Sequence, residues 1–139
     1  MSTEEYKARN RRAIEEGLNQ KNLAVYDEIC AADVVIHSPT GTTEGLAAYK
    51  QLLSANFIAF PDLHFTIEAQ LAEGDLSVTR WTSRGTHQGS LGGIPPTGKQ
   101  ATNSGVIMVR WANGKVVESW NFFDNLSLMQ QLGVIPKQG

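Results

Sequence analysis

The sequence predicts an α+β domain: a cone-shaped α+β barrel of N-terminal helices packed on a strongly curved, mostly antiparallel sheet, with a short C-terminal helix. Two observations carry this expectation. Apolar residues recur at helical spacing up to Pro61 and at a period of two after it. The later strands also follow one another directly, with turn signals between them, which implies a meander and not alternating β-α units. A third observation is size. The chain has 139 residues, 41% hydrophobic and 19% charged, which suits one domain over residues 1–139 with its own core.

The elements can be justified in order. Ser2 or Thr3 caps a first helix, with Glu4 and Glu5 placed well for its dipole. Tyr6, Ala13, Ile14 and Leu18 fall near one face, Gly17 is a weak point, and residues 19–22 read as the stop. Leu23, Tyr26, Ile29 and Cys30 suggest a short second helix, and residues 34–36 a short strand ended by His37-Ser38-Pro39. A third helix starts at Thr43, with Glu44 in its first turn, and stops before Pro61.

After Pro61, Leu63, Phe65, Ile67, Ala69 and Leu71 alternate with polar residues, as in a half-buried strand. Glu73-Gly74-Asp75 is a turn, and residues 76–87 form a second strand. Residues 89–98, with Gly92-Gly93-Ile94-Pro95-Pro96, cannot be regular structure. Residues 101–111 and 116–123 are two further strands joined at Asn113-Gly114, a strong hairpin signal. Residues 126–132 form the terminal helix, closed by Gly133.

Composition excludes several classes of function. The net charge is −2, so general attraction to nucleic acid or to an anionic membrane has no support. No apolar run approaches the roughly 18–20 residues of a membrane span. The first twelve residues, MSTEEYKARNRR, lack the apolar core of a signal peptide, so a cytoplasmic protein is expected. Cys30 is the single cysteine, which rules out an intrachain disulfide and reads as a small buried apolar residue. His37, His64 and His87 show no metal-ligand spacing, no Gly-x-Ser-x-Gly elbow is present, and Gly92-Gly93 lacks the end of a phosphate loop. A curved sheet closed by helices leaves a small-molecule pocket instead.

Several short motifs occur in order: Phe60-Pro61-Asp62-Leu63, Gly85-Thr86-His87-Gln88-Gly89, Gly93-Ile94-Pro95-Pro96-Thr97-Gly98, Arg110 with Asn113-Gly114-Lys115-Val116-Val117-Glu118, Trp120, Asp124, and Gln130-Gln131-Leu132-Gly133. Together they resemble the SnoaL-like polyketide cyclase (ester cyclase) family over nearly the whole chain. The resemblance implies a cystatin-like cone of the nuclear transport factor two type and a homodimer. It also implies ring closure in a hydrophobic polyketide ester by intramolecular aldol condensation, without metal or organic cofactor. The family's acid/base is an aspartate on the last strand, which the resemblance matches to Asp124.

Aldol closure needs a base for a carbon flanked by carbonyls, a stabilised enolate, and a proton for the new alkoxide; one carboxyl group can make both transfers. Asp124 follows Trp120-Asn121-Phe122-Phe123, an aromatic stretch in which burial would raise its pKa. The competing reading is an N-cap of the terminal helix, which would lower it. If the last strand runs unbroken, Val116, Glu118, Trp120, Phe122 and Asp124 share a face. A three-residue turn at residues 112–114 adds Thr102, Ser104, Val106, Met108 and Arg110 to it, whereas a two-residue turn adds the alternate set. The first is favoured because it brings Arg110 towards Glu118.

Candidate substrate-binding residues are His37, Trp120, His87, Trp81, Phe57, Met108 and Phe122. His37 reads equally as a substrate hydrogen-bonding group or a turn residue. His87 either contacts ligand or holds the Gly-Pro loop, and His64 faces solvent. Trp111 reads as a lid or dimer contact. Arg80 and Arg84 are expected to pair with carboxylates on the convex or dimer face. The alternatives to a cyclase are another small-molecule enzyme on this fold, of epoxide hydrolase or hydroxylase type, and a non-catalytic ligand-binding dimer.

Overall fold

In a computed structural model of the chain, which describes residues 1–136, the first helix opens on a reciprocal cap. Ser2 Oγ accepts from the Glu5 N–H at 3.2 Å, and Glu5 reaches back to the Ser2 N–H. Helix α1 spans Thr3–Arg12 and widens without a break into a π-helical stretch, Ala13–Leu18. Gly17 is a packing requirement here and not a weak point: a Cβ would lie 2.7 Å from the Tyr26 ring. Helix α2 (Val25–Ile29) then leads into β1 (Cys30–Ser38).

The third helix begins later than its sequence suggests. Residues 41–44 form a strand, β2 (Gly41–Glu44), because β1 offers an open edge that they pair with, Val35 opposite Glu44 and His37 opposite Thr42. Gly45, at φ 91°, turns the corner, and α3 runs Leu46–Ala59. The meander follows as expected: β3 (His64–Glu73), β4 (Leu76–Thr86), β5 (Gln100–Ala112) and β6 (Lys115–Phe123), then α4 (Asn125–Gln131).

The six strands lie in the order β2-β1-β6-β5-β4-β3, with β1 parallel to β6 and every other pair antiparallel. The sheet ends at β2 and β3 and does not close into a barrel. Its hairpin uses the two-residue turn and not the favoured three-residue one, yet it keeps Arg110 facing Glu118. Asn113 and Gly114, at φ 52° and 77°, make a two-residue turn that pairs Ala112 with Lys115 and Trp111 with Val116. A bulge at Val117 then adds one residue, so that Arg110 faces Glu118 and Met108 faces Trp120. Strand β6 is therefore not unbroken. Val116 turns into the core, while Glu118, Trp120 and Phe122 point the other way.

The main core lies between the helices and one sheet face. Ile14, Leu18, Tyr26, Ile29, Leu46, Tyr49 and Leu53 meet Val34, Ile36, Val109, Trp111 and Val116. Trp111 is neither lid nor outward contact. It is 2% exposed, stacks on Tyr6 at 4.8 Å, and donates from Nε1 to Ser77 Oγ at 2.9 Å. Ser77 also accepts from Asn10 Nδ2, so one buried hydroxyl serves two donors. A second apolar cluster joins Ala59, Phe60, Ala101 and Leu132 at the far end. There Gln131 holds the free edge of β5, donating to Thr102 O at 2.7 Å and accepting from its N–H at 2.8 Å.

Candidate active site

Cross-strand register divides the candidate residues between two faces. Away from the helices, His37, Trp120, Met108, Val78 and Leu71 are consecutive partners across the sheet, and Phe122, Val106, Arg80 and Ala69 form the next row. Leu71 is 71% exposed and Phe122 59%. His37, Trp120, Met108 and Phe122 thus share a face as expected, but it is the face opposite the helices, because the bulge at Val117 fixes the sidedness of β6.

This outer face carries an ion-pair group. His37 Nε2 lies 2.7 Å from Glu118 Oε2, Arg110 donates to Glu118 Oε1 at 3.2 Å, and the Thr42 hydroxyl is 3.4 Å from His37 Nδ1. The imidazole stacks against Trp120 at 5.7 Å. The hydrogen bond from His37, and then that from Arg110, hold the Glu118 carboxyl below its ordinary pKa. Arg80 and Arg84 are on the same side, as expected, but neither has a carboxylate within 4.0 Å among the described residues.

The helix side presents different chemistry. Trp81 lies opposite Gly105, which lies opposite Phe123, and Ile107 faces Asn121. Phe65 meets Trp81 edge-on at 5.1 Å. Gly105 is required here, since a Cβ would strike both the Trp81 ring and the Phe122 carbonyl. Phe57, Phe65, Trp81, Asn121 and Phe123 stay half-buried, unlike the sealed core beside them, and form an aromatic mouth. Ser119 donates to Asn121 Oδ1 at 2.8 Å. Burial, followed by Cys30, pushes the neighbouring Tyr49 phenol up to about 12, and a hydrogen bond from Asn121 pulls the other way. Tyr49 is therefore a neutral donor at physiological pH. Asn121 carries no local signal in the sequence; only the bulge at Val117 lets alternation place it inward.

Asp124 sits at the end of β6, where an open groove of about 630 Å³ begins. The groove is lined by His64, Thr66, Thr82, Arg84, Thr102 and Ser104, by Ser83 and Asn103 of the opposite strand parity, and by Ser127 and Gln131 of α4. The dry aromatic setting expected for Asp124 is not found. Its side chain is exposed and accepts from the Ser127 N–H at 2.9 Å, as an N-cap. The reason is geometric: the strand ends at Phe123, so Asp124 leaves the sheet before its aromatic neighbours can enclose it.

His87 lies outside both regions. It is 0% exposed and packs 5.5 Å from Phe60. Cys30 is buried, as expected, with its thiol pushed up to about 12 by desolvation, and His64 is exposed. Among the described residues no group of three or more His, Cys, Asp or Glu side chains is gathered as metal ligands would be. Among the described residues no helix is long and apolar enough to cross a membrane.

An unclosed curved sheet with helices on one face and an aromatic mouth beneath them defines a domain of the nuclear transport factor two type. Within that class the chain belongs to the SnoaL-like polyketide cyclase family, whose model matches residues 8–132. Three solved structures are similar. AclR from Streptomyces galilaeus, provisionally a hydroxylase, is 30% identical with a TM-score of 0.88 over 99% of this chain and 87% of its own. IdmH from Streptomyces antibioticus, provisionally a polyketide cyclase, is 30% identical with a TM-score of 0.80, over 91% of this chain and 97% of its own. A protein from Acidithiobacillus ferrooxidans with the same provisional assignment is 29% identical with a TM-score of 0.80, over 92% and 94%. No curated protein matches the sequence.

Proposed function

We propose that the chain is a cofactor-independent cyclase that closes a ring in a polyketide-type carbonyl compound by intramolecular aldol condensation. The observation that carries this reading is the family match over residues 8–132, together with Asp124 at the rim of a polar groove. The oxygen-rich part of the substrate lies in that groove.

In this reading Asp124 takes a proton from a carbon flanked by two carbonyls and returns it to the alkoxide after the new carbon–carbon bond forms. Desolvation does not prepare this carboxylate, so the barrier falls chiefly by stabilising the enolate. Arg84, which has no carboxylate within 4.0 Å among the described residues, supplies positive charge in the same groove, and His64 lies opposite it in register. We further propose that the outer sheet face forms a homodimer, since Leu71 and Phe122 stand exposed on it.

Turnover of β-dicarbonyl aromatic esters tests the chemistry. Asp124→Asn is expected to lose ring closure while retaining substrate binding. Full activity in Asp124→Asn would overturn the assigned base.

A further inference from the structure

The segment Gln88–Lys99 crosses from β4 to β5 as a strap. Its tip, Leu91-Gly92-Gly93-Ile94, is a tight turn with both glycines at positive φ. Main-chain bonds tie its two ends: His87 N–H to Lys99 O at 2.9 Å, Gly98 N–H to His87 O at 2.8 Å, and Gln88 and Gly89 N–H to Ala59 O at 3.0 and 3.2 Å. One side chain reaches it from below. His87 Nδ1 accepts from the Thr97 N–H at 3.2 Å and lies 3.0 Å from Thr97 Oγ1. Since an N–H donates to Nδ1, the ring proton is on Nε2. That atom is buried and has no hydrogen-bond partner.

The two ring nitrogens therefore act in opposition. Nδ1 holds the strap down, and the stranded Nε2–H favours any state that lets water in. We propose that the strap is a gate latched by neutral His87, and that a proton bound at Nδ1 opens it. Protonation turns the acceptor of the Thr97 N–H into a second donor, so that bond is lost and the Thr97 hydroxyl, 3.0 Å away, is the remaining acceptor for the new N–H. Among the described residues no carboxylate bonds to His87: Asp62 accepts instead from the N–H and hydroxyl of Thr86 at 2.6 and 2.8 Å. Phe60 contributes only its ring from the end of α3, and Lys99 meets His87 through its carbonyl while its ammonium lies beside Gly133. Opening uncovers the cluster of Ala59, Phe60, Ala101 and Leu132, on which Leu91 packs, two residues beyond Phe57 of the mouth. The gate thus admits an apolar ligand from the end of α3.

Amide hydrogen exchange, corrected for the intrinsic pH dependence, tests this on the whole chain without substrate. Protection of strap amides 88–99 is expected to fall by up to about tenfold per pH unit as the pH drops from 8 to 5, the slope for one linked proton, while β4 and β5 stay protected. In His87→Phe, which keeps the packing against Phe60, the strap should be weakly protected and insensitive to pH. Nitrogen chemical shifts of His87 in the parent protein read the tautomer directly and depend on no variant. A proton on Nδ1 at pH 8, or strap protection that does not change with pH, overturns the proposal. Failure of Asp124→Asn to lose activity leaves it untouched.

Discussion

The imidazole of His37 and the carboxylate of Glu118 meet at 2.7 Å across the one parallel seam of the sheet, between β1 and β6. Neither residue is adjacent to the other in sequence or at a turn. The parallel pairing, with Val35 opposite Glu118 and His37 opposite Trp120, brings them together, and Arg110 completes the group from β5.

That contact has a pH signature. Glu118 is held below its ordinary pKa, so its contribution to stability is present above the ordinary glutamate range near 4.3 and is lost as pH falls through the lowered value. The melting temperature of Glu118→Gln should therefore lie below the parent's at neutral pH, and the gap should close in acid. A gap that widens below pH 4 would show that the ion pairs are not its source.

Ser77→Ala should destabilise the fold by about 2–4 kcal/mol, because it strands the Asn10 amide and the Trp111 indole N–H in the core. Chemical denaturation gives the size of the loss. Tryptophan fluorescence should shift as Trp111 loses its fixed partner.

Asp124→Ala and Asp124→Asn should differ in stability by about 1 kcal/mol in favour of Asn, which still caps α4 through Ser127. Thermal unfolding of the pair checks this. It also makes Asn the cleaner probe of chemistry, since helix and groove stay in place.

For the outer face, light scattering after gel filtration is the measurement. Phe122→Glu puts a charge in the apolar rows and should convert a dimer to a monomer with the melting temperature of the isolated chain little changed. Identical masses for parent and variant would remove this face from the assembly.

Most of the fold was legible because each half of the chain keeps one hydrophobic period, and Asn113-Gly114 marks its hairpin without ambiguity. What escaped was set by partners distant in sequence. Thr43 and Glu44 resemble a helix start, yet the free edge of β1 recruits them as strand. Alternation correctly grouped Glu118, Trp120 and Phe122, but grouping does not say which face meets the helices. That was decided by Val116 entering the core and by an extra residue at Val117, neither of which leaves a local signal. The exposure of Asp124 depends on where β6 ends, which its neighbours in sequence do not reveal.

Val117 makes the sidedness of the final strand a matter of one residue. Deleting it would carry Trp120 and Phe122 inward and throw Asn121 and Phe123 to the opposite side, exchanging chamber lining for outer surface without altering either set of side chains. Alignments of related chains through this hairpin therefore need to be anchored downstream of the bulge. An offset of one position would compare inward-facing residues with outward-facing ones.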